Sequence, residues 1–141
     1  MFTGEYRHAV DDKGRLAVPS RFRAQLAGNV VVARWLDTCL AIFPIAAWDE
    51  LAAKVGGLPM TDPNARLLQR QLFAGAFETE LDRQGRVLVP ANLRGFAGLD
   101  AEALVLGSRD HAEIWAPGRW EAYSRALEGE AFTDAVAGLG I

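Results

Sequence analysis

Asp11, Gly14 and Arg15 recur as Asp82, Gly85 and Arg86 with identical spacing. The pattern Asp-x-x-Gly-Arg is suited to recognition chemistry. Arginine presents a planar fork of donors that fits the O6 and N7 edge of guanine, and fits phosphate oxygens as well. An aspartate four residues earlier, across a turn, can hold that fork in one direction and so reduce the entropy lost on binding. Lys13 in the first copy, and Arg83 and Gln84 in the second, occupy the turn tips, where they are placed for phosphate or base-edge contacts. An Asp–Arg pair beside a turn also forms ordinary surface ion pairs, worth under about 1 kcal/mol. One copy alone would not separate the two readings, and both copies can be kept for folding.

The copies lie inside a longer repeat. Residues 11–23 read DDKGRLAVPSRFR and residues 82–94 read DRQGRVLVPANLR. Pro19 matches Pro90, Arg23 matches Arg94, and the apolar pairs Leu16/Val87, Val18/Val89 and Phe22/Leu93 agree in kind. After a one-residue shift, Ile42-Phe43 matches Ile114-Trp115 and Trp48 matches Trp120. The chain therefore reads as a tandem duplication. Residues 1–60 form one unit, 61–74 a linking helix, 75–128 the second unit and 129–141 a C-terminal tail.

The elements that must position the turns follow from periodicity. Alternation predicts a strand over Tyr6–Val10 and over Phe77–Leu81. Each runs into the Asp-x-x-Gly turn, where the Asp side chain bonds amides ahead of it and Gly14 or Gly85 takes positive φ. A second strand follows, Arg15–Val18 or Arg86–Val89, and stops at proline, which has no N–H for a ladder. Pro19 is suited to begin a short helix with Phe22 and Leu26 on its inner face. Further strands are expected at Val30–Ala33 with Leu40–Phe43, and at Leu104–Leu106 with Glu113–Trp115. Closing helices are expected over Ala46–Val55 and Gly118–Leu127. The linking helix runs from about Asn64 to Phe73, capped by Asp62 with Pro63 in its first turn. Leu67, Leu68, Gln71 and Leu72 form its packing stripe. From Glu130 the chain is a weak helix or a frayed end.

The 141 residues are half hydrophobic, enough for a real core. Net charge is −3 and pI about 5.4, so bulk charge does not advertise nucleic acid. The distribution is uneven. Residues 1–34 hold six basic side chains against three acidic, and residues 100–141 hold three against eight. Only Lys13 and Lys54 are lysines, so the cationic chemistry is mostly guanidinium. Cys39 is the single cysteine, which excludes an intrachain disulfide. No apolar stretch approaches the roughly 20 residues of a membrane span, and the N-terminus does not read as a signal peptide. A soluble cytoplasmic protein is the default expectation.

Other candidates read more simply. His8, His111 and Cys39 share no metal-ligand spacing, and no nucleophile motif surrounds Cys39. No phosphate-binding glycine loop or paired catalytic acids are present. Trp35, Trp48, Trp115 and Trp120 suggest packing before a stacking surface for single strands.

The segments 11–15 and 82–86 resemble the paired Asp-x-x-x-Arg motifs of MraZ proteins. The opening MFTGEY, the stretch PSRFR at 19–23 and RQLFAGA at 70–76 resemble that family too, so the likeness spans nearly the whole chain. It implies an α+β fold of the SpoVT/AbrB swapped-hairpin type: a small β-barrel made jointly by two tandem repeats, with flanking helices. It implies a transcriptional repressor of the division and cell-wall gene cluster, associated with the nucleoid and acting as an octamer-like ring on double-stranded DNA with short direct repeats. No catalytic residue, metal, cofactor, membrane or small-molecule substrate is expected. Lys13, Arg15, Arg83, Gln84 and Arg86 are the expected DNA contacts, supported by Asp11, Gly14, Asp82 and Gly85. The alternative is an oligomeric protein-interaction module with the same barrel that does not read DNA.

Overall fold

The computed structural model describes residues 1–141. Its strands are β1 (Glu5–Ala9), β2 (Arg15–Ala17), β3 (Asn29–Arg34), β4 (Leu40–Pro44), β5 (Phe77–Glu80), β6 (Arg86–Leu88), β7 (Glu102–Gly107) and β8 (Ala112–Trp115). Its helices are α1 (Ser20–Arg23), α2 (Ile45–Gly56), α3 (Pro63–Ala74), α4 (Ala91–Ala97), α5 (Pro117–Ala126) and α6 (Glu130–Gly138). Pro19 and Pro90 stay extended and precede their helices, which start at Ser20 and Ala91. Asp62 caps α3 as expected, its Oδ1 accepting from the Asn64 amide at 2.8 Å.

Six strands form one antiparallel sheet in the order β1-β7-β8-β4-β3-β5, and β2 and β6 form a separate two-stranded ribbon. Each repeat's first strand pairs with the third strand of the other: β1 with β7, β5 with β3. The registers obey a pseudo-twofold axis. In the ribbon Leu16 pairs with Val87, its own counterpart in the repeat, and in the sheet Ala41 pairs with Glu113.

The expected small β-barrel is not a continuous closed sheet: the six strands form an open sheet, with the ribbon separate from it. Beyond β1, only a single bridge joins Val10 to Leu16, and β2 turns to β6 for its ladder. Proline then ends β2 and β6 after three residues each. β1 and β5 remain as edges, with charged residues such as Arg7, Glu78 and Glu80 at outward positions that discourage further pairing.

The central strands are buried on both faces, as their nearly unbroken apolar runs require. On one face Val30, Val32, Ile42, Val105 and Ile114 pack under the ribbon residues Leu16, Val18, Val87 and Val89, with Phe22 and Leu93 from the short helices. Each fully buried side chain of this size contributes about 1.5–3 kcal/mol. Phe22 is the hub, meeting Phe2 and Tyr6 edge-on at 5.1 and 5.4 Å. On the other face α2 and α3 bring Trp48, Val55 and Leu72 against Val31 and Phe43. There too Leu104, Leu106 and Trp115 pack with Cys39 beside Trp120 of α5. The stripe on α3 is corrected: Leu72 is buried, but Leu67 is 66 % exposed and Leu68 38 %. A helix lying on α2 and β3 by one narrow side cannot bury three successive ridges.

Candidate nucleic-acid interface

The turn between β1 and β2 is built around one carboxylate. Asp11 Oδ1 accepts the amides of Lys13 and Arg15 at 3.0 and 2.9 Å, and Oδ2 accepts Arg15 Nε at 2.6 Å. The second copy repeats this arrangement. Asp82 Oδ1 accepts the amides of Gln84 and Arg86, both at 2.9 Å, and Oδ2 accepts Arg86 Nε at 2.8 Å. Each aspartate thus spends three bonds on fixing a turn and an arginine. The Arg15 amide bonded to Asp11 leads the effects that hold its carboxyl below the usual range, and the Arg86 amide does the same for Asp82. Because the folded-state pKa is depressed, this contribution is present above the unfolded carboxylate pKa and is lost as pH falls through the folded one. The clamps are intact at neutral pH.

Alternation along the ribbon sends Leu16 and Val87 inward and leaves Arg15, Ala17, Arg86 and Leu88 outward. The two turns lie at opposite ends of a ribbon only three pairs long, so their arginines converge across it. Arg86 Nη1 lies 3.8 Å from Asp11 Oδ2, joining the two copies. The Arg15 and Arg86 side chains are 35 % and 28 % exposed. Their Nε atoms are each engaged by an aspartate of the same turn. Lys13, Arg83 and Gln84 are exposed at the tips. Lys13, Arg15, Arg83, Gln84 and Arg86 are thus all at least partly exposed on or beside the ribbon, with Asp11 and Asp82 among them.

Gly14 and Gly85 adopt φ of 85° and 75°, as the turn requires. They are also buried, which the sequence did not suggest. Gly14 lies beneath the Arg94 guanidinium and Gly85 beneath that of Arg23. Arg94 and Arg23 were visible as matched residues of the repeat, but nothing local showed where they reach. Leu88 was likewise missed: it is 40 % exposed between the arginines, an apolar group on the polar ribbon face.

The remaining candidates have structural roles. Cys39 is fully buried, its Sγ donates to Leu36 O at 3.2 Å, and burial pushes its thiol pKa up. Trp48 and Trp115 are buried, and Trp35 and Trp120 pack against them or their neighbours, so the four offer no stacking surface. His8 is half-buried on β1.

His111 is the one buried polar side chain. It stacks on Phe43 at 4.8 Å, its Nδ1 meets Asp110 Oδ1 at 2.8 Å, and its Nε2 lies 3.6 Å from Glu113 Oε2, an ion-pair distance. Burial opposes protonation, but the carboxylates of Glu113 and Asp110 outweigh it and raise the His111 pKa. A raised folded-state pKa stabilises the fold below the unfolded value, about 6.5, and that contribution is lost as pH rises through the folded one. Wild type should therefore exceed His111→Gln in melting temperature by a clearly larger margin at pH 5.5 than at pH 9. A margin independent of pH would show that His111 does not titrate with folding.

The family profile described as "MraZ protein, putative antitoxin-like" matches residues 1–71 and again residues 72–139. A protein named transcriptional regulator MraZ from Roseiflexus sp. (strain RS-1) is 51% identical over 131 residues, covering 93% of this chain and 92% of that one. Its namesake from Thermomicrobium roseum is 48% identical, covering 92% of each. That from Herpetosiphon aurantiacus is 46% identical over the full length of both. Two profile matches in tandem coincide with the duplication that builds the paired turns, and on these grounds the chain belongs to the MraZ family.

Proposed function

We propose that this protein is a transcriptional regulator that binds double-stranded DNA sequence-specifically and represses the division and cell-wall gene cluster. The observation that carries the reading is the pair of repeat-related arginines on one outward ribbon face, each locked at Nε by its own aspartate. Such arginines are suited to bidentate base contacts in a major groove. Lys13, Arg83 and Gln84 flank them for phosphates or further base edges. Arg83 partly offsets the replacement of Lys13 by Gln84 in the second copy. The exchange of first strands between the repeats supports the AbrB-type fold. The reading divides the chain into repeats at 1–60 and 75–128, a link at 61–74 and a tail at 129–141. It is non-catalytic, and it places the protein in the cytoplasm on the nucleoid.

Assembly reconciles this reading with the acidic pI. A ring-shaped, octamer-like homo-oligomer that points many turns one way would concentrate positive potential on one face. Apolar side chains left exposed on α3, on α6 and just after it, such as Leu67, Phe132 and Leu139, support self-association. Each further turn then engages at high effective concentration. Titration of purified protein against its own upstream DNA should show binding that falls steeply with salt, since several phosphates release counterions together. A probe with one direct repeat should bind at least tenfold more weakly than one with several repeats in natural spacing, as multivalent binding commonly gains ~10²–10⁴. Equal affinity for both probes would overturn the multivalent mechanism. Absence of binding at low salt would favour the protein-interaction module instead.

A further inference from the structure

Each turn of the candidate interface is closed by the other repeat. The Gly14 carbonyl accepts from the Val89 amide at 2.8 Å, and the Gly85 carbonyl accepts from the Val18 amide at 3.0 Å. Val89 O in turn accepts from Arg94 Nη1, and Val18 O accepts from Arg23 Nε at 3.1 Å. The same two guanidiniums occupy the space a side chain would need at the turn glycines: a Cβ on Gly14 would sit 2.8 Å from Arg94 Cζ, and one on Gly85 would sit 2.6 Å from Arg23 Cζ. Only a bare Cα leaves room for the arginines this close, so the buried glycines and the arginines form one fitted unit. The chain of contacts is crossed. Arg94, on α4 of the second repeat, caps the turn that carries Lys13 and Arg15. Arg23, on α1 of the first, caps the turn that carries Arg83, Gln84 and Arg86.

We infer that Arg23 and Arg94 are positioning residues: each sets the geometry of the recognition turn in the opposite repeat. The consequence for DNA rests on the function proposed above; the effect on the turns does not. The aspartate clamp fixes an arginine relative to its own turn. The crossed guanidinium fixes that turn relative to the ribbon, and so sets where the recognition arginine of that turn is presented. Neither charge needs to touch DNA for this.

Arg94→Met and Arg23→Met keep most of the aliphatic stem and remove the donors; Arg94→Lys and Arg23→Lys keep the charge and lose the plane. The first readout is amide exchange by NMR, without DNA. Arg94→Met should speed exchange at the Lys13 and Arg15 amides about tenfold, the scale of one lost charge-assisted hydrogen bond, and leave Gln84 and Arg86 within about twofold. Arg23→Met should do the reverse, and each lysine variant should give a smaller change in the same direction. Both turns are read in one molecule, so a general loss of stability shows as equal acceleration in both. That result, or acceleration in the same-repeat turn, would overturn the inference. The second readout is a double-mutant cycle in DNA affinity. Arg94→Met should be non-additive with Arg15→Ala and additive with Arg86→Ala, and Arg23→Met the converse. Additivity in every pair, with the salt slope reduced by about one, would mean direct phosphate contact and would overturn positioning. If wild type binds no DNA, the proposed function fails, while the crossed exchange pattern still decides this inference.

Discussion

The double variant Arg15→Ala/Arg86→Ala should lose operator binding while keeping its fold. On the proposed function each substitution removes one bidentate base contact, worth about 1–3 kcal/mol, so the pair should cost from about thirtyfold to about ten-thousandfold. The fold should survive because neither side chain reaches the core, and Asp11 and Asp82 still accept the turn amides through Oδ1. The single variants should each give a partial loss. Gel shift at fixed low salt, with melting curves on the same samples, separates the two effects. Wild-type affinity in the double variant would remove these arginines from the interface.

Gly14→Val should damage both turn and fold, and Gly85→Val should do the same at the symmetric place. At φ of 85° and 75° a β-branched residue is strained by about 1–3 kcal/mol. The added Cβ at position 14 would also sit 2.6 Å from the carbonyl oxygen of Val89, a backbone atom that cannot swing aside. Overpacking of this kind costs about 1–3 kcal/mol more. The sum predicts a melting temperature lowered on the order of 10 °C, with DNA binding weakened in parallel. Gly14→Ala carries the same positive φ and the same Cβ clash without the branch, so it should already account for most of the loss. An unchanged melting curve for Gly14→Val would show that the turn relaxes around the new side chain.

Much of the candidate site was legible in the sequence because its contacts are local. An aspartate that bonds amides two and four residues ahead, and a glycine that must take positive φ, leave their marks inside five residues. Duplication doubled that signal, and it matched Leu16 with Val87 in kind, the two residues that the register then pairs. The strands were legible for a related reason. Runs such as VVVA and LAIF are apolar throughout because both sheet faces are covered, whereas β1 and β5 alternate because one face meets solvent.

Contacts between the repeats were not legible, because sequence spacing carries no record of them. The burial of Gly14 under Arg94, the placement of Leu88 opposite Arg15 and the stacking of His111 on Phe43 each join groups set by the packing of whole elements. Closure of the sheet was misjudged for the same cause: whether β2 continues from β1 or turns to β6 depends on the other repeat. The sequence by itself therefore determined the turns, the strand and helix types and the twofold plan, since these follow from backbone preference and periodicity over a few residues. Only the tertiary structure decided that the sheet stays open, that the two arginines share one ribbon face, and that each turn is held by an arginine of the opposite repeat. Those outcomes come from competition among long-range pairings, in which burial of Leu16, Val87 and Phe22 under one roof outweighs any local preference.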